Sequence, residues 1–253
     1  MSNYLDKPSI LGGWRLPAGI VGALVFAAVA CTPRQTTSQD IAREIAGDAD
    51  TAPLVAAFQA HYPREYEAML ARLAAVRNDR GEGAAAREAA QQMRAFMLTK
   101  VSAMAQAPAT DLREIGNAIT TTITELQRRD VNLCAQFVTR GFTPGQQIPD
   151  GPKQALVRVA ALQLQAARHA EDGQRVNRTA LSEADGEVWF RRISTIAPDL
   201  APMINDGSIE RATITRQCQA GLAIYQAATQ LPEETAANVV AHLLRESARA
   251  SRP

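Results

Sequence analysis

Aromatic residues make up only 5% of this 253-residue chain, and lysine occurs only as Lys7, Lys100 and Lys153. A single-stranded nucleic-acid platform interleaves exposed aromatics with basic side chains, and no stretch here does so. Charge of one sign is equally scarce. Formal net charge is +1, with 27 Lys+Arg against 26 Asp+Glu, so no global field draws nucleic acid or an anionic surface. Arginine carries almost all the positive charge. That suits bidentate recognition of phosphate or carboxylate, but balanced acids make it an ordinary feature of an Ala- and Arg-rich composition.

Short chemical signatures are also missing. His61, His169 and His242 lie far apart, and without an HExxH, a CxxC or a Cys/His cluster there is no support for a zinc site. Gly81-Glu82-Gly83 follows no strand and precedes no Walker-type lysine, so it is not a phosphate-cradling loop. There is no G-x-S-x-G elbow. A calcium loop built on Gly207 would put Pro202, which has no side-chain oxygen, at the first ligand position. The Asp-Gly pairs at 150–151, 172–173, 185–186 and 206–207 therefore read as turns or caps.

What is present begins near the N-terminus. Leu16 to Ala30, LPAGIVGALVFAAVA, carries no charge and follows Arg15. A spanning helix needs about 20 apolar residues. This stretch has fifteen and ends in small residues, the profile of a secretory h-region. Ala28-Val29-Ala30 is an A-x-A pattern suited to signal peptidase. Together with Cys31 it resembles the lipobox of bacterial lipoproteins, with Ala28 where that motif usually has Leu. The resemblance implies lipidation at Cys31, the first residue of the mature protein. A lipoprotein, an uncleaved single-pass inner-membrane signal anchor and soluble export remain open. All three place residues 40–253 outside the cytoplasm.

Residues 1–30 thus read as signal peptide or signal anchor, 31–50 as tether and short helix, and 51–253 as a helical domain. FTPGQQIPDGP at 142–152 marks a candidate subdivision. No strict apolar/polar alternation long enough for a strand occurs, whereas helical periodicity recurs throughout. Ser38 reads as a cap, and Pro63 interrupts the helix begun at Thr51. Residues 78–83 form a turn between amphipathic helices, the second with Ala86, Ala90, Met93, Met97, Val101 and Met104 on its face. One long helix runs from near Asp111 past Phe137 to Gly141. Others begin near Lys153, at Thr179 or Ser182 (carrying Val188, Trp189 and Ile193), at Ser208 (presenting Ile214, Cys218, Leu222 and Tyr225) and at Pro232. The fold class is all-α, a bundle of about eight helices after the signal or anchor segment.

If Cys31 is lipidated, Cys134 and Cys218 remain, an even number for an oxidising compartment. Each lies on the apolar face of its own helix, so the expectation is a helix-to-helix disulfide. The alternative is a pair of inert core thiols. A Cys134–His169 dyad rests on residue type alone, and Glu183 with Glu187 reads as a solvated i, i+4 pair of acids. Trp189, Phe190, Arg191 and Arg192 form the densest aromatic-basic patch, which makes Trp189, Arg191 and Arg192 candidate partner contacts. The alternative is a buried Trp189 with solvated arginines.

These readings converge on an exported, membrane-anchored helical envelope protein with a non-enzymatic binding or scaffolding role and no cofactor. Its partners are the membrane, through lipid or anchor, and another envelope protein, not nucleic acid. The alternatives are an exported hydrolase-type enzyme without a short motif and a helical lipid-binding protein.

Overall fold

The computed structural model describes residues 35–142, 146–178 and 180–250. Among these are eleven α-helices and no strand: α1 Ser38–Gly47, α2 Ala52–His61, α3 Pro63–Arg80, α4 Glu82–Met104, α5 Ala109–Arg129, α6 Val131–Arg140, α7 Asp150–His169, α8 Glu183–Ile196, α9 Ala201–Asn205, α10 Ile214–Thr229 and α11 Glu233–Ala250. The all-α expectation holds. The excess over eight arises where polar caps cut long apolar patterns. Asp130 ends α5 because its Oδ1 accepts from the Asn132 and Leu133 amides, at 2.8 and 3.2 Å, which starts α6 instead. The helix expected from Ser208 is a 3-10 turn, Ser208–Arg211, and Thr213 caps α10 by accepting from the Arg216 amide.

At the first helix the cap is Thr37, not Ser38. Thr37 Oγ1 accepts from the Asp40 amide and the Asp40 carboxylate accepts from the Thr37 amide, a reciprocal capping box. The turn expected at 78–83 contracts to Gly81, whose φ of 80° favours glycine. Consequently α3 and α4 form a hairpin of long helices.

Helix α5 sits at the centre, packed by α6, α7, α10 and α11. Its stripe of Leu112, Ile115, Ile119, Ile123 and Leu126 is buried. Helix α7, which follows the 142–152 stretch, packs on α2, α4 and α5, which precede it. One apolar cluster runs through helices from α1 to α11. Helix α8 covers α10 and α11, with Trp189 and Ile193 turned inward. Val188 and Ile214, expected on apolar faces, are instead exposed. Val188 lies one residue before the buried Trp189, and Ile214 is the first residue of α10, one turn before the buried Cys218.

Cys134 on α6 and Cys218 on α10 are joined in a disulfide, with their Cα atoms 5.3 Å apart. One turn further along α10, a Cβ added to Gly221 would fall inside the Val138 side chain on α6. Bond and glycine therefore act at the same close crossing. Gly116 of α5 plays the same part against Thr229 and Val240, where an added Cβ would meet methyl groups at 3.0 Å.

Two stability outcomes follow from this crossing. The bond closes a loop of 84 residues, for which the chain-entropy model gives about 4.5 kcal/mol. Replacing both cysteines by alanine should lower Tm by roughly 9–18 °C, and an unchanged Tm in the double variant would remove the bond from the account of stability. Gly221→Val should cost about 1–3 kcal/mol by overpacking, read as a lower urea midpoint at unchanged slope.

Candidate functional site

Pro63 cannot donate a backbone hydrogen bond, so α2 ends at His61 and Tyr62 leaves the helical path with φ −138° and ψ 58°. The Tyr62 ring enters an aromatic box. Its centroid lies 5.0 Å from that of Phe96 on α4 and 6.4 Å from that of Phe58 on α2. Phe58 also meets Phe96 at 5.0 Å and Tyr66 at 5.8 Å. Lys100, one turn beyond Phe96, puts Nζ 4.5 Å from the Tyr62 centroid and 2.8 Å from Glu171 Oε1. Its stem is covered while its ammonium group has both a π face and a carboxylate.

Glu171 arrives because α7 does not stop cleanly. The turn Ala170–Gln174 widens and closes on Gly173 at φ 97°, as a helix does when it ends through a left-handed glycine. The last turn of α7 and this ending bring four polar groups to one place. Arg168 Nε donates to Asp172 Oδ2 at 2.8 Å, and His169 Nδ1 pairs with Asp111 Oδ2, in the first turn of α5, also at 2.8 Å. The Tyr62 hydroxyl is buried and faces the Glu171 carboxylate. Burial, then the neighbouring Glu171 carboxylate, pushes its pKa well up, so it stays a neutral phenol. His61 is held below the ordinary imidazole value by burial first, then by the positive fields of His169 and Arg168.

An Asp–His pair fixes the ring orientation of the imidazole. The chemical capacity here is proton transfer or recognition of a polar group, at the rim of an aromatic cluster. Among the described residues no group of three or more His, Cys, Asp or Glu side chains is arranged to hold a metal ion.

Of the residues singled out by sequence, His61 and His169 belong to this cluster, and the others lie elsewhere. Cys31 falls outside the described residues. Cys134 and Cys218 are bonded to each other, so the Cys134–His169 dyad has no thiol, and the partner of His169 is Asp111. Glu183 and Glu187 are both exposed. Trp189 is buried and its indole N–H donates to the Ile224 carbonyl at 3.0 Å, so its ring is not presented to a partner. Arg191 is exposed, while Arg192 binds Gln230 Oε1 through Nε at 2.8 Å and Nη2 at 2.5 Å.

The His61, Tyr62, Lys100, Asp111 and His169 cluster has no sequence signature, because its members come from four helices. Pro63 and the separately placed His61 and His169 are the sequence features that fall in or beside it. No family model matches the chain, and neither a curated protein nor a solved structure is detectably similar to it.

The histidines set a pH dependence. His242 on α11, like His61, is held low by burial first, with Arg249 and Arg245 adding to the effect and Glu246 opposing it. In the unfolded chain both protonate near about 6.5, whereas in the folded state they protonate only at lower pH. Their stabilisation is therefore complete above the unfolded value and declines as pH falls toward the folded one. The urea midpoint should drop between pH 7.5 and pH 5, each histidine contributing at most about 1.4 kcal/mol per pH unit. His242→Gln should shrink that drop; an identical drop in the variant would show that His242 is not one of its sources.

Proposed function

We propose that this chain is a membrane-anchored helical envelope protein that works outside the cytoplasm by binding another protein. The observation that carries the reading is the buried Cys134–Cys218 disulfide. Disulfides persist in oxidising compartments and are rare in reducing ones. The bond and the apolar segment before Cys31 lie far apart in the chain, and both favour the same placement. No helix among the described residues is long and apolar enough to cross a membrane, so in this reading anchoring falls to the N-terminal segment or to a lipid on Cys31.

For partner binding, the exposed face of α8 offers Val188 and Arg191 side by side in solvent. It is what remains of the aromatic-basic patch once Trp189 is turned into the core. Arginine beside apolar surface is a common hot-spot pairing.

A second reading, an exported enzyme, has one observation in its favour: the Asp111–His169 pair beside His61. Turnover of a chromogenic ester or phosphoester panel, lost in His169→Ala, would support it. No turnover by the purified protein removes that support.

Placement is tested in the native host by fractionation combined with thiol alkylation. The expected result is a membrane-bound polypeptide whose Cys134 and Cys218 resist alkylation until reduced, and which Cys31→Ser releases from the membrane if the anchor is a lipid. A full-length chain recovered from the cytosol with both thiols free would defeat the proposal. Partner binding is tested by a photo-crosslinker at Arg191 in intact cells. A discrete adduct with one second polypeptide is expected, and its absence would exclude this face.

A further inference from the structure

The described body is clasped at Thr36, only a few residues along the chain from Cys31. Asn78, near the end of α3, grips the backbone of Thr36 from both sides. Its Oδ1 accepts from the Thr36 amide at 2.8 Å and its Nδ2 donates to the Thr36 carbonyl at 2.9 Å. Thr37 then caps α1, and Glu44 of α1 is ion-paired with Arg77, the residue before Asn78. Cap, ion pair and amide clasp together hold the start of the body at the α3–α4 tip, around Gly81.

Four residues lie between Cys31 and Thr36, so across five Cα steps the two lie within about 18 Å of each other. A domain of this size has a radius of gyration of about 17 Å. A tether that short does not reach round to the far side. The hairpin then gives a direction. His61 and Tyr62 sit at the start of α3, and α4 runs back to bring Lys100 level with them. The length of α3 between Glu65 and Arg80 is about 22 Å.

We propose, on the anchored reading above, that the α3–α4 tip faces the lipid headgroups. The His61–His169 cluster then sits at the opposite end of the hairpin, turned to the aqueous phase. Arginine heads stand outermost near the tip: Arg43 is 75% exposed against 30% for its partner Asp40, and Arg80 is 54% exposed against 19% for Glu88. Acids and arginines there are close to balanced in number, so the short tether sets the orientation. The guanidinium groups add attraction where headgroups are anionic.

The test uses the full chain purified from its native membrane and reconstituted into phosphatidylethanolamine–phosphatidylglycerol vesicles whose headgroups carry a quencher. A fluorescent amino acid is placed either at Arg80 or at Glu65, both exposed and at opposite ends of α3. The expected result is flotation with the vesicles and severalfold stronger quenching at position 80 than at 65. Asn78→Ala, which removes the clasp and lengthens the free tether, should narrow the gap. Flotation with equal or reversed quenching overturns the orientation and leaves the anchored reading standing. Failure to float overturns the anchored reading, and the orientation goes with it.

Discussion

Helix α5 is enclosed by four other helices, and the rest of the bundle is arranged by what that enclosure demands. A helix buried on one side needs one apolar stripe, but a helix packed by α6, α7, α10 and α11 must also let several backbones come close. Small residues make this feasible. Gly116 admits the methyls of Thr229 and Val240, and the buried Thr122 returns its hydroxyl to the Ala118 carbonyl at 2.9 Å, so that hydroxyl is not left unsatisfied. The α6–α10 crossing repeats the device with Gly221 and adds a covalent bond one turn away. Tight interhelical contact maximises dispersion but tolerates little extra volume, which is why the glycines matter more here than their helix propensity suggests.

Apolar spacing made the helices legible, and also which faces they bury. Leu112, Ile115, Ile119, Ile123 and Leu126 fall where a 3.6-residue period puts them, as do Val239, Val240, Leu243 and Leu244. The facing cysteines were legible for the same reason, since each shares a stripe with core residues. Boundaries were less so, because they depend on single side chains competing for backbone amides. Asp130, Thr213 and Thr37 each capture an amide that a continuous pattern would have left helical. The candidate site was hardest to read. Asp111 and His169 are 58 residues apart and meet because α5 begins where α7 ends. That is a property of tertiary packing, with no trace in local spacing.

The abundance of arginine has a structural use that composition alone does not reveal. The segment after α7 is strapped across the α4–α5 turn. The Val176 amide donates to the Gln106 carbonyl at 2.8 Å, and Arg178, almost wholly buried, binds the Ala107 carbonyl and Glu234, the latter at 3.1 Å. Arg245 of α11 completes the strap by donating to the Arg178 carbonyl at 2.5 Å. A planar guanidinium with five donors can hold several carbonyls at once, which an ammonium on a flexible stem does less well. The helix that leaves this turn is α5, and Asp111 lies in its first turn, so the strap steadies one half of the Asp111–His169 pair.

Stability and candidate chemistry are thereby separated along the molecule. The disulfide and its glycine clamp the α6–α10 crossing, the Thr36–Asn78 clasp holds the α3–α4 tip, and the titratable cluster occupies the other end of that hairpin. Each group in the cluster has a charged or aromatic neighbour within reach, so the polar end is ordered. Tyr62 is held in its place by Pro63 behind it and by Phe58 and Phe96 around it. The same proline that breaks α2 from α3 therefore both creates the aromatic box and leaves its one polar atom facing Glu171. Backbone chemistry at a single position accounts for where the Tyr62 ring sits, while the meeting of α5 and α7 brings the Asp111–His169 pair beside it.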